Sequence, residues 1–210
     1  MYLSRLMLNP RSRQVQREVA DVYQMHRTIL GAFPKRLNAS ERVLFRLESH
    51  PRTGELTLLV QSHGAPDWSL LTHQPGSGYL AVREEPNPWV KTFDLQLARG
   101  QELVFRLRAN PTVKREGKRC GLYREEEQLG WLGRKAGESG FRLLAVRVTP
   151  QGLVESTRYE DDQKQDLRLL ATQFDGVLQV TDPERLIQSV RQGIGSGKGL
   201  GFGLLSLAAG

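Results

Sequence analysis

Residues 1–10 read Met1-Tyr2-Leu3-Ser4-Arg5-Leu6-Met7-Leu8-Asn9-Pro10. The first eight predict a buried strand, and Asn9-Pro10 ends it because proline lacks an N–H and suits the first turn of a helix. From Arg13 to Leu30 the apolar residues recur at the spacing of an amphipathic helix, so we expect one helix there.

The rest of the first half indicates three more strands. Residues 42–48 and 55–61 alternate in polarity around a turn that contains proline and glycine, which predicts a β-hairpin. Residues 68–71 predict a short helix, and residues 91–97 predict a strand. The order is therefore β-α-β-β-(α)-β.

The second half repeats this order. Residues 102–108 predict a strand that ends at Asn110-Pro111, and a loop rich in lysine and arginine leads from it to a helix over residues 125–135. The remaining expected elements are strands at 141–149 and 174–181, an arm between them that turns near Asp161-Asp162, a helix from Asp182-Pro183 to Gln192, and a strand at 204–207.

Two β-α-β-β-α-β units predict an α+β fold of two tandem ferredoxin-like domains with antiparallel sheets. We expect an N-terminal domain at residues 1–98 and a C-terminal domain at residues 99–210. A single mixed α+β domain is the alternative. Since the ferredoxin-like fold serves many unrelated functions, the function has to be inferred from particular residues.

The charge of the chain favours a polyanionic partner. The formal net charge is +7 and the pI is near 9.8. Several cations are clustered, at Arg115, Lys118 and Arg119 and again at Arg134-Lys135. No stretch approaches the ~20 apolar residues that span a bilayer, and the first residues lack a secretory pattern, so we expect no membrane contact and a cytoplasmic location.

Metal and thiol chemistry are not expected. Cys120 is the single cysteine, so neither an internal disulfide nor a thiolate cluster can form. The four histidines, at positions 26, 50, 63 and 73, include no pair at helical metal-ligand spacing. We therefore predict no metal ion and no cofactor.

A glycine-rich loop runs from Gly193 to Gly203. A phosphate-binding P-loop would need a glycine at position 192 and a hydroxyl residue at position 199, but the chain has Gln192 and Gly199 there. The dinucleotide pattern also fails in every register. A loop with Lys198 and exposed amides could still receive a phosphate backbone, and a mobile C-terminal connection is the alternative.

Tyr23 and His26 are three residues apart on the expected first helix, so their side chains can meet. His26 also continues the apolar stripe of that helix, which favours a buried structural histidine. Its cationic neighbours Arg27, Lys35 and Arg36 favour a catalytic site for RNA cleavage without metal. The spacing alone leaves both interpretations open.

The chemistry of such cleavage suits these side chains. The ribose 2′-hydroxyl attacks the adjacent phosphorus, and an imidazole with a pKa near ~6.5 can accept or donate a proton at neutral pH. Tyr23 is better suited to orienting the nucleophile or the phosphate. Arg27 or Lys198 could stabilise the charge that develops in the transition state.

The chain resembles the CasE-type CRISPR repeat endoribonucleases, which belong to the RAMP superfamily and form the repeat-processing subunit of the Cascade effector complex. The segments that carry the resemblance span almost the whole chain: Met1–Arg5, Tyr23-x-x-His26-Arg27, Ala32-Phe33-Pro34, Phe105–Pro111, Lys118-Arg119-Cys120, Trp131-Leu132, Gln192–Gly195 and Gly203–Leu207.

The resemblance implies tandem ferredoxin-like domains and cleavage of the CRISPR repeat stem-loop at the base of its stem, with a 2′,3′-cyclic phosphate as product. It implies that His26 is catalytic and that Tyr23 assists. It also implies that a basic hairpin of the second domain, here with Arg158, contacts the stem, and that Gly195 and Lys198 support the RNA interface. Further expected phosphate contacts are Arg27, Lys35, Arg36, Arg115, Lys118, Arg119, Arg134 and Lys135.

Two rival functions remain at this point. The chain could be a structural subunit that binds RNA without cutting it, or a basic protein-interaction module within a larger assembly. The expected partners under the leading hypothesis are precursor and mature CRISPR RNA and the other Cascade subunits.

Overall fold

A computed structural model describes residues 1–34, 42–72, 78–160 and 163–210, with only the backbone described at 158–160 and 163–165. The strands are β1 (Tyr2–Leu8), β2 (Leu44–Ser49), β3 (Leu56–Ser62), β4 (Trp89–Thr92), β5 (Glu102–Ala109), β6 (Thr112–Arg115), β7 (Lys118–Gly121), β8 (Phe141–Glu160), β9 (Gln163–Val180) and β10 (Leu205–Ala209). The helices are α1 (Arg13–Ala20), α2 (Val22–Leu30), α3 (Ser69–Thr72), α4 (Glu125–Glu138) and α5 (Pro183–Gln192), with a 3-10 turn at Lys198–Leu200.

The first of two compact units comprises Met1–Asp94, Glu155–Leu167 and Gly199–Gly201. Its sheet has the order β2-β3-β1-β4, and β1 is antiparallel to both of its neighbours. One face of this sheet and the helices α1 and α2 bury a shared apolar core that includes Leu6, Phe45 and Met25.

The second unit comprises Leu95–Val154, Arg168–Lys198 and Phe202–Gly210. Its sheet has the order β10-β5-β9-β8 and repeats the strand arrangement of the first unit. When the four strands of each sheet are counted in chain order, the first lies between the third and the fourth in both sheets. The α+β prediction of tandem ferredoxin-like folds with antiparallel sheets is therefore confirmed.

The single helix predicted from Arg13 to Leu30 is wrong, because the backbone breaks at Asp21. Asp21 has an extended conformation, donates its N–H to Arg17 at the end of α1, and caps α2. A short carboxylate side chain favours such a position because it can bind the free N–H groups of the next helix. The predicted apolar stripe is buried on both sides of the break, at Val15, Val22 and Ile29, whereas Val19 near the end of α1 is exposed.

A buried carboxylate holds the two helices together. Glu18 in α1 is 4% exposed and accepts hydrogen bonds from Gln14, from Thr28 in α2 and from the hydroxyl of Tyr79 at 2.6 Å. Burial and the bond to Glu18 raise the pKa of Tyr79, so its hydroxyl stays a donor. This network explains why a charged residue occupies a core position.

The cationic loop predicted before α4 is a β-hairpin instead. Its strands β6 and β7 are joined by Glu116 and Gly117, which have φ angles of 50° and 78°. Two consecutive positive φ angles are typical of the tight turns that join antiparallel strands. The Glu116-Gly117 pair is the sequence feature that could have indicated this turn. The flanking residues are highly charged and lack the apolar alternation that marks strands.

Several further boundaries differ from prediction. Asn9-Pro10 lies in a turn, and Ser12 is the residue that precedes α1. The fourth strand is Trp89–Thr92, not 91–97. Helix α4 continues to Glu138. Strands β8 and β9 extend through the predicted arm, and its turn near Asp161-Asp162 lies outside the described residues.

None of the helices in the described part of the chain is long and apolar enough to span a bilayer.

Candidate active site and nucleic-acid interface

Helix α2 presents Tyr23 and His26 from its first turns. The helix begins where it does because the Asp21 carboxylate accepts a hydrogen bond from the backbone N–H of Tyr23 at 3.1 Å. The centroids of the Tyr23 and His26 rings are 6.4 Å apart. The structure therefore brings together the two side chains whose spacing suggested an interaction.

The imidazole of His26 is half-buried, and its ring stacks on Phe45 of β2. The two ring centroids are 6.3 Å apart and the ring planes differ by 20°. Phe45 is itself completely buried, so one face of the imidazole is supported by the core of the first unit. Arg27, which follows His26, is exposed.

Gly199 of the glycine-rich loop lies directly against His26. A β-carbon at this position would be 3.3 Å from Cε1 and 3.4 Å from Nε2 of the imidazole, closer than side chains ordinarily pack. The glycines at 195, 197, 201 and 203 have positive φ angles, whereas Gly199 does not. Gly199 is therefore required for close approach to His26 and not for its own backbone conformation.

Ser156 of β8 contacts the start of α2. Its hydroxyl donates to the Asp21 carboxylate at 2.6 Å and accepts from the N–H of Tyr23 at 3.2 Å. Ser156 is 6% exposed. Neither Ser156 nor Asp21 is among the predicted site residues. An aspartate before a helix is a recognisable capping signal, while Ser156 has no comparable signal.

The predicted cations near residue 115 lie on the β6–β7 hairpin. Arg115 directly opposes Lys118, and Lys114 directly opposes Arg119. All four side chains are exposed, and Arg115 also forms an ion pair of 3.6 Å with Glu127. Like charges placed opposite each other on two strands disfavour the pairing, so this hairpin is suited to an anionic partner.

The other predicted contacts are more dispersed. Arg134 is exposed on α4, and Lys135 forms an ion pair with Glu138. Gly195 packs on Trp131, since a β-carbon there would be 3.1 Å from the indole ring. Lys198 is half-buried at the start of the 3-10 turn.

Three predicted residues cannot be placed in this way. Lys35 and Arg36 lie outside the described residues. Arg158 belongs to β8, two residues beyond Ser156, and only its backbone is described. Within the described part of the chain, no three His, Cys, Asp or Glu side chains form a group that could hold a metal ion.

Residues 1–209 match the family of CRISPR associated proteins. The chain belongs to this family. Among its members, the chain is 40% identical to the CRISPR-associated endoribonuclease Cse3 of Thermus thermophilus, over 99% of this chain and 100% of that protein. It is 33% identical to the CRISPR system Cascade subunit CasE of Escherichia coli, over 99% of each protein.

A solved structure of a CRISPR-associated protein agrees with this assignment. The structure of the endoribonuclease Cse3 bound to a 19-nucleotide RNA superimposes with a TM-score of 0.86 at 39% identity, and the match covers 99% of this chain and 100% of that chain. The predicted CasE-type membership is confirmed.

Proposed function

We propose that the protein is an endoribonuclease that binds the repeat hairpin of precursor CRISPR RNA and cuts it at the base of the stem. The observation that carries the proposal is His26, whose imidazole stacks on Phe45, lies against Gly199 and is near Tyr23 of the same helix. Full-length similarity to a protein named as an endoribonuclease supports it.

His26 supplies the proton chemistry in this proposal, and solvent exchanges the other proton. The 2′-oxygen of the ribose forms a bond to the adjacent phosphorus, and the bond from phosphorus to the 5′-oxygen breaks. The 2′-hydroxyl loses a proton and the leaving 5′-oxygen gains one, and His26 takes part in one of these transfers. The products are a 2′,3′-cyclic phosphate and a free 5′-hydroxyl.

No metal ion is needed for these steps, because the nucleophile belongs to the substrate. Tyr23 orients the nucleophile or hydrogen-bonds the scissile phosphate, and exposed Arg27 stabilises the charge that develops on it. We therefore propose that cleavage is metal-independent and uses no cofactor.

Among the proposed RNA contacts, those on the β6–β7 hairpin have the strongest support from the charges that the structure describes. Two short strands carry the cations Arg115, Lys118 and Arg119. Cations that face each other across the two strands repel, and bound phosphates would relieve this repulsion. We propose the hairpin as a phosphate contact. The proposed contacts rest on the family resemblance together with the clustering of cations and the glycine-rich loop in the sequence; they are Lys35, Arg36, Arg134, Lys135, Gly195 and Lys198.

The wider context follows from the same resemblance. We propose that the protein acts with the other Cascade subunits. Its Escherichia coli relative is named a subunit of Cascade, which supports this proposal. We propose residues 1–98 as the domain with the catalytic helix and residues 99–210 as the domain with the basic hairpin and the glycine-rich loop. The cytoplasmic location predicted from the sequence stays a prediction.

Cleavage in EDTA tests this function. A labelled repeat hairpin from the CRISPR array of the source organism, incubated with the protein in excess, should be cut at one site at the same rate with EDTA or with Mg²⁺. Analysis of the 5′ product should find a 2′,3′-cyclic phosphate. Loss of cleavage in EDTA would contradict metal independence, and tight binding without any cleavage would favour the structural RNA-binding subunit.

Replacement of Arg158 tests the proposed contact with the stem. We expect Arg158→Ala to weaken RNA binding and to reduce the slope of log K against log salt by about one, as loss of one phosphate contact does. Binding titrations at several salt concentrations measure this slope. The matched control is Arg142→Ala, which removes an exposed arginine from the same strand and should leave the slope unchanged. An unchanged slope in Arg158→Ala would remove that residue from the interface.

A further inference from the structure

The hydroxyl of Ser156 joins strand β8 to the first turn of the catalytic helix. One oxygen atom makes two contacts, as a donor to Asp21 and as an acceptor from the N–H of Tyr23. The same oxygen of Asp21 also accepts from that N–H, so three polar groups share one small network. Each group belongs to the first compact unit.

Helix capping alone does not explain this serine. Asp21 already binds the N–H of Tyr23 and would cap α2 without help. An apolar side chain would suit a strand position that is only 6% exposed, because burying a hydroxyl raises the free energy of the folded state unless the hydroxyl is hydrogen-bonded. The serine hydroxyl instead bonds to Asp21, the cap of α2, and to the backbone N–H of Tyr23 in its first turn.

The neighbouring residue shows that the contact is specific to one side of the strand. The hydroxyl of Thr157 donates to Asp166, which lies on β9. Successive residues of a strand point to opposite faces, so Thr157 serves the pairing of β8 with β9 while Ser156 serves the helix. Ser156 is two residues before Arg158.

We infer that Ser156 is a positioning residue: through Asp21 and the Tyr23 amide it fixes the start of the catalytic helix against the strand that carries the proposed RNA contact Arg158. The inference rests on the proposed cleavage function. Binding of RNA to this strand then bears on the orientation of Tyr23 and, one turn later, on that of His26. Ser156 itself touches neither the substrate nor the reacting atoms.

If Ser156 positions the catalytic helix, its replacement should slow RNA cleavage and leave the affinity for RNA unchanged. Small displacements of reacting groups reduce rates strongly, so we expect Ser156→Ala to lower the saturating single-turnover rate about fivefold. Affinity for a repeat hairpin with a 2′-deoxy nucleotide at the cleavage position, which cannot be cut, should stay within about twofold. Thr157→Ala, the matched control, should retain both values.

A double-mutant cycle separates positioning from general damage. Asp21→Ala should slow cleavage at least as much as Ser156→Ala, and the double variant should be no slower than Asp21→Ala, because the two side chains act in one network. Asp21→Asn keeps an acceptor oxygen and should restore most of the rate. Melting temperatures of all variants report whether each one is folded.

The outcomes are distinguishable. A wild-type protein that binds the uncleavable hairpin but does not cut the normal one overturns the proposed function. Wild-type cleavage together with an undiminished saturating rate in Ser156→Ala overturns the positioning role alone. A weaker affinity with a normal saturating rate also overturns it, and makes Ser156 a binding residue.

Discussion

Replacement of His26 by alanine should slow cleavage of the repeat hairpin by about 10²–10⁴-fold, the usual contribution of one general acid or base. Histidine has an ordinary pKa close to neutral pH, which suits the imidazole that α2 carries to act as a general acid or base. RNA affinity should change little, because binding depends mainly on cations elsewhere in the chain. Single-turnover rates and binding of the uncleavable hairpin measure the two effects separately.

A second histidine provides the control for this experiment. His63 is exposed and belongs to the same unit, so His63→Ala removes an imidazole without changing the core. It should cut at the wild-type rate. If His26→Ala also cuts at that rate, His26 is not the catalyst and the proton chemistry belongs to other groups.

Replacement of Gly199 by alanine should slow cleavage between about tenfold and a hundredfold, as expected when a catalytic group is displaced by a fraction of an ångström to one ångström. The added methyl group would lie 3.3 Å from the imidazole of His26, so the ring has to move. The backbone at Gly199 is not in the left-handed region and accepts alanine without strain. The expected defect is therefore in the rate and not in folding.

Gly64→Ala is the matched control. Gly64 lies in the same unit, and a β-carbon there meets no atom within 4 Å. Both variants should melt within a few degrees of the wild type, and only Gly199→Ala should lose activity. Wild-type cleavage by Gly199→Ala would show that the loop does not constrain the imidazole.

Most strands of the two sheets were predictable because each sheet buries one face. That burial imposes an alternating or apolar pattern, visible in residues 1–8 and 102–108, which form β1 and β5. The predictions failed where burial does not constrain the residues. Strands β6 and β7 carry exposed cations on both faces, and most of the described part of β8 beyond residue 149 is exposed, so hydrophobic periodicity gave no signal.

The helix break at Asp21 was missed for a different reason. Apolar spacing across residues 13–30 fits one continuous helix, but the Asp21 carboxylate caps a new helix at Tyr23 and is also hydrogen-bonded to Ser156. The last of these is 135 residues distant in sequence. Pairings over such distances are decided by the folded chain and leave no local pattern.

The candidate site was predictable only in part. The spacing of Tyr23 and His26 indicated that their side chains could meet, and their rings do so. The two further neighbours, Phe45 and Gly199, come from a strand and from the glycine-rich loop. The sequence of that loop predicted a possible phosphate site. It contained no indication that one of the glycines lies against the imidazole of His26.

Helix α2 has nine residues and begins at an extended aspartate. An isolated helix of that length is barely populated in water, because the cost of nucleation is spread over too few hydrogen bonds. A peptide cut from this region would contain both Tyr23 and His26 and still lack their arrangement. The arrangement of the two side chains therefore depends on the surrounding sheet and loop. It should be lost as soon as those neighbours loosen, before the chain as a whole unfolds.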